Sequence, residues 1–187
     1  MRGARRSRLG VAGGRRDDGQ GTDGRRKKGP NPTDRAKPGT KKSLHVERRG
    51  GPLAIEIEGA NVHDTKLLAA TLEATVIERP DPGQLRQHLC LDKAYDNPTG
   101  EAACAAAGYI PHIRRIGEEK RDGWGRKTQP ARRWVVERTL AWLSKCRAIL
   151  VRYDKKPQNY KGLIQLACAL LWGRRLHDLN WGKDVSR

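Results

Sequence analysis

Two kinds of hydrophobic periodicity alternate along residues 43–177, and this alternation restricts the fold more than any other feature of the chain. Leu53, Ile55 and Ile57 fall on one face of a strictly alternating stretch, which indicates a strand. Residues 66–77 carry leucines at helical spacing, which indicates a helix. The full order is strand, strand, helix, strand, helix, strand, helix, helix. It predicts an α/β domain whose sheet is mixed, because Gly50 and Gly51 suit a tight antiparallel turn between the first two strands.

The later elements follow from the same patterns. The sequence predicts further strands over 87–91 and 109–113 and helices over 98–107, 131–152 and 159–177. The last helix is apolar over much of its surface, so we expect it to pack inside the domain.

Charge is distributed unevenly along the 187 residues. The formal net charge is +18, and its excess lies at the two ends, whereas the centre of the chain is nearly neutral. A basic flank of this size is typical of a polyanion partner, because neutralised phosphates release counterions. A solvated surface without a partner is the alternative. We expect nucleic acid rather than a membrane, since no stretch approaches the length of about 18 apolar residues that a span needs.

Composition also divides the chain. Residues 1–40 are rich in Gly and Arg without periodicity, and we expect this basic segment to be disordered or only locally ordered. Residues 41–180 form the expected domain and 181–187 a tail. The N-terminus lacks the apolar segment of a signal peptide, so the expected location is the cytoplasm. The four cysteines form no CxxC pair, and we expect small buried side chains rather than disulfides or zinc ligands.

Two carboxylates are the candidates for chemistry. Asp92 follows the apolar strand 87–91, and functional side chains collect where such strands end. Glu137 lies on the helix predicted over 131–152, which could lie across the sheet and bring it near Asp92. Such a pair suits Mg²⁺, which takes oxygen ligands and binds through one or two carboxylates plus substrate phosphates. The alternatives are that Asp92 caps the following turn and that Glu137 pairs with Arg133 on a helix surface.

Seven ordered runs give the chain a specific resemblance. It resembles the C-terminal part of a bacterial insertion-sequence transposase of the DDE type over roughly residues 29–176. The runs are 29–35 (GPNPTDR), 39–42 (GTKK), 60–64 (ANVHD), 91–96 (LDKAYD), 108–113 (GYIPHI), 133–139 (RWVVERT) and 166–170 (LACAL).

The resemblance implies both a fold and a site. It implies a ribonuclease-H-like mixed sheet flanked by helices, with Asp92 as the second catalytic aspartate and Glu137 as the closing glutamate. It implies two Mg²⁺ or Mn²⁺ ions in the intact enzyme, which cleaves double-stranded DNA at transposon ends and joins it to a target, and it allows a homo-oligomer. Lys93, Arg133 and Arg138 are the implied DNA phosphate contacts.

The first catalytic aspartate that this family carries on its first strand has no evident counterpart. Asp17, Asp18 and Asp23 are available, but none follows an apolar run, and no first strand is evident in the pattern. We therefore expect DNA affinity with little or no strand cleavage. Two other functions fit the composition: a basic nucleic-acid-binding protein without catalysis, and a ribonuclease-H-like nuclease that cleaves without joining ends.

Overall fold

The computed structural model describes residues 6–12, 27–31, 35, 37–113 and 134–181. Within them the chain forms strands, helices and one short 3-10 turn, and helices lie on both faces of the sheet. The strands are β1 (Arg6–Ala12), β2 (Gly29–Pro30), β3 (Pro38–Glu47), β4 (Pro52–Gly59), β5 (Gln87–Leu91) and β6 (Tyr109–Ile113). The helices are α1 (Asp64–Glu73), α2 (Pro98–Ala106), α3 (Trp134–Leu143), α4 (Arg147–Leu150) and α5 (Pro157–Trp181), and the 3-10 turn is Lys93–Tyr95.

The sheet has β1 at its centre. β3 pairs antiparallel with β1 on one side and with β4 on the other. β5 pairs parallel with β1, and β6 pairs parallel with β5. The short β2 pairs with the beginning of β3. The order β4, β3, β1, β5, β6 is the mixed α/β sheet that the sequence and its ribonuclease-H-like resemblance predicted.

The central strand comes from a segment with little strand signal. Residues 1–40 were expected to be disordered or only locally ordered, and Arg6–Ala12 form strand β1 within them. Strand β1 has ladder partners on two sides, and backbone hydrogen bonds to both neighbours can hold a strand whose sequence carries little strand signal.

Two apolar clusters cover the two faces of the sheet. On one face α3 and α5 pack on β3 and β4, and on the other α1 and α2 pack on β5 and β6. The first cluster includes Leu44, Val46, Ile55, Ile57, Val136, Leu140, Leu143, Tyr160 and Ile164. The second includes Leu68, Leu72, Leu89, Leu91, Tyr95, Cys104 and Tyr109.

The helices at the C-terminal end differ from their predicted extents. The helix expected over 131–152 is divided into α3 and α4 by a turn at 144–146. The helix expected to pack inside the domain, α5, buries only one face, because Leu166 and Leu170 are each 59% exposed. No helix among the described residues is long and apolar enough to span a membrane.

Candidate active site

Asp92 lies where β5 ends, at the edge of the sheet beside the central strand. Its carboxylate caps the following 3-10 turn by accepting a hydrogen bond from the Lys93 amide at 2.7 Å. The side chain is only partly buried, and Lys93 beside it is exposed. The cap that was the alternative to a metal role is therefore present at Asp92.

Tyr95 lies beneath this turn and was not singled out from the sequence. Its side chain is 1% exposed, and its hydroxyl has no hydrogen-bond partner in the described part of the chain. Burial, followed by the negative charges of Asp64 and Asp92, raises the pKa of the Tyr95 hydroxyl. The negative charges of both carboxylates therefore raise the pKa of the same phenol, which stays neutral.

Lys41 connects this region to β3. Its ammonium group lies 2.6 Å from a carboxylate oxygen of Asp64 and donates a hydrogen bond to the Val62 carbonyl at 2.7 Å. Nothing in the sequence pattern links Lys41, Asp64 and Asp92, because only the crossing of β3, α1 and the 3-10 turn brings their elements together.

Glu137 is exposed in the first turn of α3, whereas Val135 and Val136 beside it are buried. Helix α3 packs across β1 and β3, and β1 is hydrogen-bonded to β5. One strand therefore separates the elements that carry Glu137 and Asp92. The helix begins beside the turn after β3, near the end of the sheet where β5 begins, whereas Asp92 lies where β5 stops.

Strand β1 carries no acidic residue. Its parallel register with β5 pairs Arg8 with Cys90, and continuing that register by two residues brings Gly10 level with Asp92. Asp17, Asp18 and Asp23 lie outside the described residues. Within the described ranges, no group of three or more His, Cys, Asp or Glu side chains is arranged to hold a metal ion.

The predicted DNA contacts lie in different surroundings. Arg138 is exposed and stacks over the Trp134 ring, with its guanidinium carbon 4.8 Å from the ring centre. It also donates a hydrogen bond to the Arg49 carbonyl at 2.5 Å. Arg133 lies outside the described residues.

A comparison against protein families agrees with the fold. The model of the transposase DDE domain matches residues 13–172. The chain belongs to this family. It is also similar to a curated protein of Burkholderia cepacia named "Putative transposase for insertion sequence element IS402". The two are 35% identical over 151 residues, which is 79% of this chain and 69% of that relative.

Transposase DDE domains in general use a divalent metal. Whether this domain could hold one depends on the oxygen ligands that its residues supply. Asp92 supplies carboxylate oxygens of the kind that a hard cation prefers, and one or two such groups suffice for an ion completed by water and phosphate. Glu137 lies toward the other end of β5, so the structure does not bring the two carboxylates together. A two-ion centre with three carboxylates is not supported, since the described first strand offers no carboxylate. The residues therefore fit one ion and do not fit two.

Proposed function

We propose that this transposase DDE domain binds double-stranded DNA and one divalent cation, Mg²⁺ or Mn²⁺, with Asp92 as the anchoring carboxylate. The metal role of Glu137 stays a prediction, because its helix begins toward the opposite end of β5. We further propose that it cleaves and joins DNA strands weakly. The observation that carries the proposal is the position of Asp92 at the end of β5, beside the central strand of the sheet. DNA transposition is the activity of the family, and the residue assignments and the weak rate are our inference.

Each residue has a distinct part in this proposal. Asp92 is partly preorganised, because the Lys93 amide holds its carboxylate at the sheet edge. Glu137 is exposed in the first turn of α3. A bound divalent ion would polarise the scissile phosphate and offset charge on the leaving oxygen. Lys93 is exposed beside Asp92, where its ammonium group can contact the DNA backbone.

The absence of an acidic residue on β1 supports the weak rate. With no carboxylate on the described first strand, that strand positions no ion for the nucleophile or the leaving oxygen. Preorganised charge stabilisation is a large part of catalysis, so its loss reduces the rate by orders of magnitude. The homo-oligomer that the resemblance allows stays a prediction, and analytical ultracentrifugation would test it.

Calorimetric titration with Mn²⁺ tests the metal assignment without depending on cleavage. The wild-type chain should bind one ion, and Asp92→Asn/Glu137→Gln should lose that binding. The matched control is Glu73→Gln/Glu78→Gln, which removes two exposed carboxylates elsewhere and should bind like wild type. Retained binding in the first variant, or no binding by the wild type, would show that the assignment is wrong.

Plasmid nicking tests the rate. We expect little Mg²⁺-dependent nicking by the purified chain. Robust nicking that disappears in Asp92→Asn would contradict the proposed weak activity while supporting the role of Asp92.

A further inference from the structure

The turn between β3 and β4 is covered by cationic and aromatic side chains from three separate parts of the chain. We call this the hairpin-turn surface and define it as Arg48, Arg49, Trp134, Arg138 and Arg175. Arg48 and Arg49 project from the turn itself and are exposed. The other three residues come from α3 and α5.

Two guanidinium groups converge on one backbone oxygen in this surface. Arg138 of α3 and Arg175 of α5 both donate hydrogen bonds to the Arg49 carbonyl, at 2.5 and 2.9 Å. A guanidinium group carries five N–H donors in a planar fork, so each retains donors after this bond. Two like charges are thus held close together beside the two exposed arginines of the turn.

Among the described residues, carboxylates neutralise only part of the positive charge of the hairpin-turn surface. Glu47 is the acidic residue at the base of the turn, and it accepts hydrogen bonds from the amides of Arg49 and Gly51 at 2.7 and 2.8 Å. It also pairs with Arg175 at 3.1 Å. Among the described residues, no carboxylate is paired with Arg48, Arg49 or Arg138. The surface therefore keeps a positive excess.

The turn is also rigid. Gly50 has a φ of 88°, and a Cβ on Gly51 would lie 2.4 Å from the Trp172 ring. The indole of Trp172 donates to the Pro52 carbonyl at 2.7 Å, and Thr139 donates to the Gly50 carbonyl at 2.8 Å. Because the backbone of the turn is fixed, its arginines lose less conformational entropy on binding an anion than arginines on a mobile loop would.

From these observations we propose that the hairpin-turn surface binds the phosphate backbone of double-stranded DNA. This inference rests on the proposed function, because it takes DNA as the partner. Arginine forks match phosphate oxygens, and Trp134, which is 54% exposed under Arg138, adds an aromatic surface beside them. Glu137 lies on the first turn of α3, as Trp134 does. DNA bound to the hairpin-turn surface would therefore also pass the Glu137 carboxylate.

The test is binding of a short fluorescent duplex of arbitrary sequence, measured by anisotropy in EDTA over a series of salt concentrations. Arg48→Gln/Arg49→Gln removes two charges whose side chains make no hydrogen bond or ion pair among the described residues, so the fold should persist. Lys66→Gln/Lys156→Gln removes the same charge from exposed positions elsewhere. The hairpin variant should lower the slope of log K against log salt by about 2, since each phosphate contact contributes roughly 0.9. The control should retain most of the wild-type slope.

Equal losses in the two variants would show that net charge alone governs binding and would overturn the proposal. Unchanged binding by the hairpin variant would overturn it as well, as would a wild-type chain that binds no duplex. The metal assignment is independent of all three results, because EDTA excludes metal here and the Mn²⁺ titration uses no DNA. Quenching of tryptophan fluorescence by the duplex gives a second measurement, and Trp134→Phe should remove much of it.

Discussion

Gly10 on β1 lies level with Asp92 at the end of β5 when the parallel register of the two strands is continued by two residues. Residues at one level of neighbouring parallel strands direct their Cβ atoms to the same face of a sheet. We therefore expect a carboxylate introduced at Gly10 to lie beside Asp92. The described strand leaves that position without any side chain.

Gly10→Asp should accordingly strengthen Mn²⁺ binding about tenfold or more, which corresponds to about 1.4 kcal/mol. Calorimetry measures the change. Gly10→Asn is the control, because it adds a side chain of nearly the same size without a negative charge. Equal effects of the two substitutions would contradict the register argument.

Tyr95→Phe should raise the free energy of unfolding by about 1 kcal/mol. The Tyr95 hydroxyl is buried without a hydrogen-bond partner among the described residues, and such a group carries a desolvation cost of roughly 1–3 kcal/mol. Urea unfolding of the two proteins measures the difference. A clear loss of stability would mean that the hydroxyl has a hydrogen-bond partner in solution, such as a bound water.

Helix α5 should respond very differently to alanine on its two faces. Ile164 is fully buried in the core cluster of α3 and α5, so Ile164→Ala should cost about 2–5 kcal/mol of unfolding free energy. Leu170 is 59% exposed, and Leu170→Ala should change it by less than about 0.5 kcal/mol. Chemical denaturation measures both. A large loss at Leu170 would indicate that another surface covers it.

Stability should fall as the pH is lowered from 7 to 5, in part through His45. Burial, and then the positive charge of Arg79, lower the pKa of His45 from 6.5 to about 3. The groups that face it are the Thr75 hydroxyl, 3.2 Å from its Nδ1, and the edge-on ring of Tyr109. Because the folded pKa lies below the unfolded one, only the unfolded chain takes up a proton between these values. The stability present above pH 6.5 is lost progressively toward pH 3, by about 2 kcal/mol between pH 7 and pH 5.

His45→Gln removes this titration and should flatten the pH dependence over that range. The control is His177→Gln, which changes an exposed histidine and should leave the dependence as in wild type. Urea midpoints at the two pH values provide the comparison. An equally steep loss in His45→Gln would show that other groups, such as the carboxylates, cause it.

Periodicity predicted most elements of the domain, and the reason is local. Residues 52–58 alternate because one face of β4 is buried against α5, and α2 begins at Pro98 because Asn97 accepts a hydrogen bond from the Gly100 amide at 2.9 Å. Strand β1 escaped prediction, because a central strand depends on its two neighbours for its hydrogen bonds. The end of α3 at Leu143 was not predicted either, because residues 135–150 keep a helical apolar pattern across the turn at 144–146.

The sequence by itself determined the α/β class, the family resemblance, the basic ends, and Asp92 and Glu137 as the carboxylates to test, because periodicity, composition and short motifs are properties of neighbouring residues. Tertiary structure alone decided which residues share a surface. Sheet register brings Gly10 level with Asp92, and two helices bring Arg138 and Arg175 to one carbonyl of a distant turn. These relationships join residues far apart in the chain, and their geometry is set by packing and hydrogen bonding between elements.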